Sequence, residues 1–185
     1  MNAKQLTLSG ITFIAAVYIT LATAYAQVAS SSSQTSSNPQ VDYQLPYPGM
    51  LPDNPLYFLK AFRDNLTAFF LSKPLDKAQF DLLQSDKNVQ ASYLLTTQEV
   101  GKANLAQQTF SKGQENFSEA ITQTVAAQKQ GYSISEMSKK LDLANQKHQQ
   151  ILKIVEQQDG QKDSQQFQTE LGHIKEFAKE IKALH

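Results

Sequence analysis

His148, Asp81, Asp86 and scattered serines are the residues of this chain whose types allow chemistry. A histidine binds metal through a neutral ring nitrogen or carries a proton near neutral pH. A helical metal site needs a further ligand about one turn away, and Ala144 and Leu152 occupy those positions around His148. His148 also falls on an apolar stripe, so a structural histidine is favoured over a metal ligand or a pH-sensitive contact. His173 and His185 read as isolated near the end of the chain. Asp81 and Asp86 stand about one and a half turns apart on one helix, with no facing pair to complete the two-carboxylate arrangement of a hydrolase. The serines lie in no strained strand-to-helix elbow of the kind that exposes a nucleophile, and no glycine-rich phosphate loop is present. Asn65-Leu66-Thr67 and Asn116-Phe117-Ser118 match the glycosylation triplet, but both fall in helical pattern and are discounted. The reading is non-enzymatic, with no cofactor and no metal.

The elements that would position these side chains are helices. The 185 residues allow one domain. Lys plus Arg number 17 against 17 Asp plus Glu, which argues against a nucleic-acid surface because phosphate binding needs a basic face. There is no Cys, hence no disulfide, thiolate nucleophile or thiolate metal site. Residues 1–26 read as an export signal: Lys4, an apolar run from Leu6 to Ala22, then Ala24-Tyr25-Ala26 as the small-x-small site for cleavage after Ala26. An uncleaved anchor is the alternative, since the run approaches the ~20 residues of one span. Residues 27–44 contain the serine tract ASSSSQTSSN and read as a flexible tether. Residues 45–185 are the helical domain.

Its entrance is LPYPGMLPDNPLYFLKAFRDN, residues 45–65, with four prolines and a glycine leading into an aromatic amphipathic segment. Asn54 as N-cap and Pro55 at the first helical position open a helix over 55–71. Its apolar side collects Leu56, Leu59, Phe62, Leu66 and Phe69 or Phe70. Ser72-Lys73-Pro74 then opens a second helix over 74–97, expected as the antiparallel neighbour of the first. Asp86 interrupts the stripe Leu75, Ala78, Leu82, Val89 and Tyr93, and distance from the turn pairs it with Lys60 or Arg63. A solvated carboxylate is the other reading. The dense aromatics Tyr43, Tyr47, Tyr57, Phe58, Phe62, Phe69 and Phe70 are expected as a core seam beneath the proline arm, with a partner-binding surface as the alternative.

A third helix follows over 102–130 after Gly101, with Gly113 marking either a close approach or a break. Gly131 caps its end. Ser133 and Glu136 form a capping box for a fourth helix over 134–158, with the stripe Ile134, Met137, Leu141, Ala144, His148, Ile151 and Val155. After Gly160 a fifth helix spans 163–184, with Phe167, Leu171, Ile174, Ala178 and Ile181. The fold class is all-α: antiparallel long-helix hairpins or an elongated bundle of about five helices.

The block Pro55, Leu56, Tyr57, Leu59, Lys60, Arg63 and Asp64, followed by Pro74 and then Asp86-Lys87, resembles a bacterial family known as domain of unknown function 5667. Residues 141–152 share its character. Where that family tends to continue with Arg and further acids after the Asp-Lys, this chain has Asn88, Gln90 and Ser92. The resemblance implies a secreted or membrane-tethered helical domain and no activity. The expectation is an extracytoplasmic module of the bacterial cell envelope, in protein interaction or structure, whose partner is another envelope protein or a second copy. The membrane enters only through an uncleaved N-terminal segment. A periplasmic holdase or ligand-sensing domain is the alternative.

Overall fold

The computed structural model describes residues 41–98, 102–159 and 165–185. The signal segment, the serine tract, Gly101, Gly160 and the start expected at 163 lie outside the described residues. Five helices and no strand occur among the described residues: α1 Tyr57–Phe70, α2 Pro74–Gln98, α3 Ala103–Lys129, α4 Ser135–Asp159 and α5 Gln165–Lys182. No helix among them is long and apolar enough to cross a membrane.

Two helix starts differ from expectation in their chemistry. Pro55 precedes α1, which begins at Tyr57 with Leu56 as N-cap and no side-chain cap. Asn54 acts one step earlier, its Oδ1 accepting from the Leu56 N–H at 2.9 Å, the local turn that Asn forms with its own backbone. The capping box at α4 is also absent. Glu136 reaches forward to Lys140 at 2.8 Å instead of back to Ser133, because a cation one turn on holds a carboxylate better than a single amide does. The end of α3 matches its glycine. Gly131 has φ +83°; its N–H donates to Gln128 O and the Tyr132 N–H to Ala127 O, the two-bond glycine cap.

Helices α2 to α5 bury their stripes against one another, and α2 with α3 is the most extensive pairing. One apolar cluster joins Leu82, Phe117, Met137, Leu141, Phe177 and Ile181. A second joins Val89, Phe110, Ile151, Leu152, Val155 and Ile174. Between them, in the order of residues along α2, α3 and α4, lie buried Ser85 and Asp86, Gln114, and Asn145 and His148. A polar layer therefore divides the core. Asn145 Nδ2 donates across it to the Ile174 carbonyl at 3.0 Å.

Gly113 sits in this layer and α3 runs through it unbroken. A Cβ there would meet Val89 Cγ2 at 3.0 Å and the Ser85 carbonyl oxygen at 3.2 Å. The glycine costs its helix about 1 kcal/mol and lets α2 approach. Gly113→Val is expected to lower stability by about 2 kcal/mol or more through overpacking, read as a lower urea midpoint at unchanged m-value. An unchanged midpoint would mean the two helices separate freely.

Candidate functional site

Asp86 is buried and faces neither Lys60 nor Arg63. The Tyr43 hydroxyl donates to its Oδ2 at 2.5 Å, and His148 Nε2 lies 2.9 Å from its Oδ1. His148 is fully buried. On the other side of the ring the Gln114 amide nitrogen stands 3.5 Å from Nδ1. The Phe117 ring closes the edge of the imidazole, centroids 5.1 Å apart. The expected pairing with Lys60 or Arg63 assumed that α1 lies along α2. In the structure the polar residue in the α2 stripe answers the polar residue in the α4 stripe. Burial first, then the Asp86 carboxylate, pushes the Tyr43 hydroxyl far above the ordinary tyrosine range, so it stays a donor. Tyr43 also packs on the first apolar cluster and Leu45 on the second, which fixes the incoming arm across the polar layer.

The expected aromatic core seam is absent. Helix α1 has no buried residue and shares no extensive contact with any other helix. Phe58 is 62% exposed, Phe62 68%, Phe69 82% and Phe70 73%, with Leu59 and Leu66 near one half. At 100° per residue these six fall on one arc of about 120°. Tyr57, Lys60, Ala61, Asp64 and Ala68 are the half-buried side, so α1 presents its polar-and-alanine side to the body and its Phe/Leu side outward. Full burial of one such side chain stabilises by about 1.5–3 kcal/mol, so six left in water forgo roughly 10 kcal/mol. Contiguous apolar patches of this kind mark contact surfaces.

Beside the apolar arc lies a basic recess. Tyr47, Gly49, Leu59, Lys60, Arg63 and Lys87 line it. Arg63 pairs with Asp64 at 2.7 Å, and Lys60 Nζ stands 5.0 Å over the Tyr57 ring. Burial holds Lys60 below the ordinary lysine range; the Asp64 charge opposes this, while Lys87, Arg63 and Lys112 add to it. Of the sequence signature, Leu59, Lys60, Arg63 and Lys87 thus meet in one recess and Asp64 steadies its arginine. Pro55 and Leu56 are exposed at the approach, Pro74 opens α2, and Asp86 turns away into the core. The Asp53 carboxylate holds Lys102 at 2.6 Å, tying the turn before α1 to the start of α3.

Two contacts were passed over in the sequence. Glu170 and His173 do form a Glu-x-x-His pair, 3.4 Å apart, and Glu170, buried, also accepts from Ser111. His185 Nε2 lies 2.9 Å from Ser138 Oγ. The first spacing was visible on one helix; the second joins residues 47 apart and had no local signal. No group of three or more metal-ligating side chains occurs among the described residues.

Asp81, on α2, is pushed up to about 6 by burial and then by the Glu119 charge, against the pull of Lys77. A carboxyl raised on folding binds its proton more tightly in the native state. Its neutral form stabilises the fold below the ordinary carboxyl value of 3.8, and this contribution is lost as pH rises towards 6. Asp81→Asn is therefore expected to stabilise the protein at pH 7 by about 1 kcal/mol after discounting for solvent screening. The gain should vanish below pH 4, measured as the difference in melting temperature across pH. A gain that persists at low pH would place its origin elsewhere.

No family model matches the chain, and no curated protein or solved structure matches it.

Proposed function

We propose that this chain is a non-enzymatic, extracytoplasmic helical module of the bacterial cell envelope, exported by its N-terminal segment, which docks to another envelope component through α1. In this reading α2 to α5 form the antiparallel bundle that holds α1 out. Kinship with the 5667 family is part of the same proposal and rests on the signature residues. The observation that carries the docking is the outward Phe/Leu face of α1. A 14-residue helix is at the margin of stability by itself, since isolated helices need ~12–15 residues or more; a contact on its apolar side would supply what the body does not.

The holdase or sensor alternative asks for an apolar cradle along α3 to α5. Those helices turn their stripes inward; among their described large apolar side chains Leu143 is the exposed one, at 38%, and Tyr132 in the turn between α3 and α4 is 40% exposed. An enzyme centred on His148 has little support either, because the ring is shut in and gives a substrate no approach. The test is photo-crosslinking in intact cells, with a photoreactive phenylalanine at Phe62 or Phe69 and the same group at Leu143 as control. Adducts from the α1 positions and none from Leu143 are expected. Equal yields from all three would remove α1 as the docking element.

A further inference from the structure

We infer that the surface α1 docks to is an anionic phospholipid bilayer, with the helix lying in the interfacial plane. This rests on the docking reading above and names its partner. Three observations carry it. The apolar arc is Phe58, Phe62, Phe69, Phe70, Leu59 and Leu66, all outward. Bulky aromatic and leucine side chains along one face of a helix, with cations at its edge, are the composition of helices that rest in the headgroup boundary. The cations are on the flank: Arg63 follows Phe70 around the helix, half-buried Lys60 comes next after Thr67, and Lys87 joins them in the recess. Long basic side chains beside an apolar face reach headgroup phosphates while their stems stay against the acyl boundary. Tyr47, 81% exposed, stands at the same recess with the amphipathic ring found at membrane interfaces.

Size argues against a second copy as the occupant. A helix of 14 residues is about 21 Å long and offers six large side chains, whereas a stable protein interface engages roughly 20–30 residues a side. A bilayer needs no such area from its partner.

The chain has no tryptophan, so Phe69→Trp in the full-length protein makes a single reporter on α1, and Leu143→Trp makes one on α4. Each is titrated with vesicles of phosphatidylcholine alone or with phosphatidylglycerol added. The expected result is a blue shift of the Phe69→Trp emission, and its quenching by brominated acyl chains, on vesicles containing phosphatidylglycerol. The Leu143→Trp emission should stay unchanged. Binding should weaken with salt and by about fivefold for each cation removed in Lys60→Gln and Arg63→Gln. No shift at Phe69→Trp, even where the protein sediments with vesicles through its N-terminal segment, overturns the lipid assignment. If the shift then follows protein concentration instead, or the cellular crosslinks from α1 lead to a protein, docking through α1 stands with a different occupant. If neither occurs, both readings fall.

Discussion

Asp86→Ala is expected to destabilise the protein by about 3–5 kcal/mol, the cost of removing one partner from a buried pair. The substitution leaves His148 Nε2 and the Tyr43 hydroxyl without their partner in a layer flanked by apolar clusters on both sides. A domain of this size has roughly 5–15 kcal/mol in all, so the substitution removes a large share of it, seen as a lower urea midpoint followed by helical ellipticity. The control is the pair. Asp86→Leu with His148→Leu replaces the polar contact by apolar groups, and such replacements are often neutral or better. The double variant should therefore lose less than the sum of the single losses, with a coupling of about 1.5 kcal/mol or more. Strict additivity would show that the two residues do not sustain each other. Tyr43→Phe removes the third member alone, at about 1 kcal/mol, and should raise amide exchange in residues 41–50, because that hydroxyl anchors the arm to the core.

Whether this polar layer also sets the register of the helices follows from the same geometry. Asp86 meets His148 only if α2 and α4 are aligned to within a fraction of a turn, and Gly113 admits α2 only at Ser85 to Val89. A slip of one turn would bury both polar side chains against hydrocarbon. Apolar clusters alone tolerate such slips, while a buried polar pair does not.

Much of this was legible in the sequence. The α4 stripe from Ile134 to Val155 is buried at every expected position, and on α3 the three-four series Ala103, Ala106, Phe110, Gly113, Phe117, Ala120, Thr124 and Ala127 is buried at all but Ala103, because such spacing reports directly on a helix face. The two polar residues that interrupt stripes, Asp86 and His148, were legible as anomalies. Their mutual contact was not, since it joins residues 62 apart and depends on which helices pack. The error at α1 has the same root. Its apolar face was as clear as any other, but periodicity gives the existence of a face and says nothing of what covers it. The turn at Ser72-Lys73-Pro74 suggested α2 as the cover. The proline arm takes part of that place instead, with Tyr43 and Leu45 on the core and Pro48 buried, and α1 is left with its Phe/Leu side in water.

Phe117→Ala and Phe69→Ala set the core against the exposed face in one experiment. Phe117 is fully buried, its ring 5.3 Å from that of Phe177 and 5.1 Å from the His148 imidazole. Its truncation removes a large apolar surface and opens a cavity at the boundary between the first cluster and the polar layer, so a loss of about 3–5 kcal/mol is expected. The residue also covers His148, and its removal should admit solvent to the ring. Phe69, of the same type and in an equally helical setting, is 82% exposed, and its truncation should change stability by no more than about 0.5 kcal/mol. Urea denaturation followed by circular dichroism measures both. If Phe69→Ala cost more than about 2 kcal/mol, its ring would be buried in the folded monomer and α1 would be a core element; that result would remove the surface on which docking and lipid binding depend. A large loss at Phe117 beside a negligible one at Phe69 leaves the exposed aromatics with no role in holding the fold, and makes vesicle binding the measurement in which Phe69→Ala should show its effect.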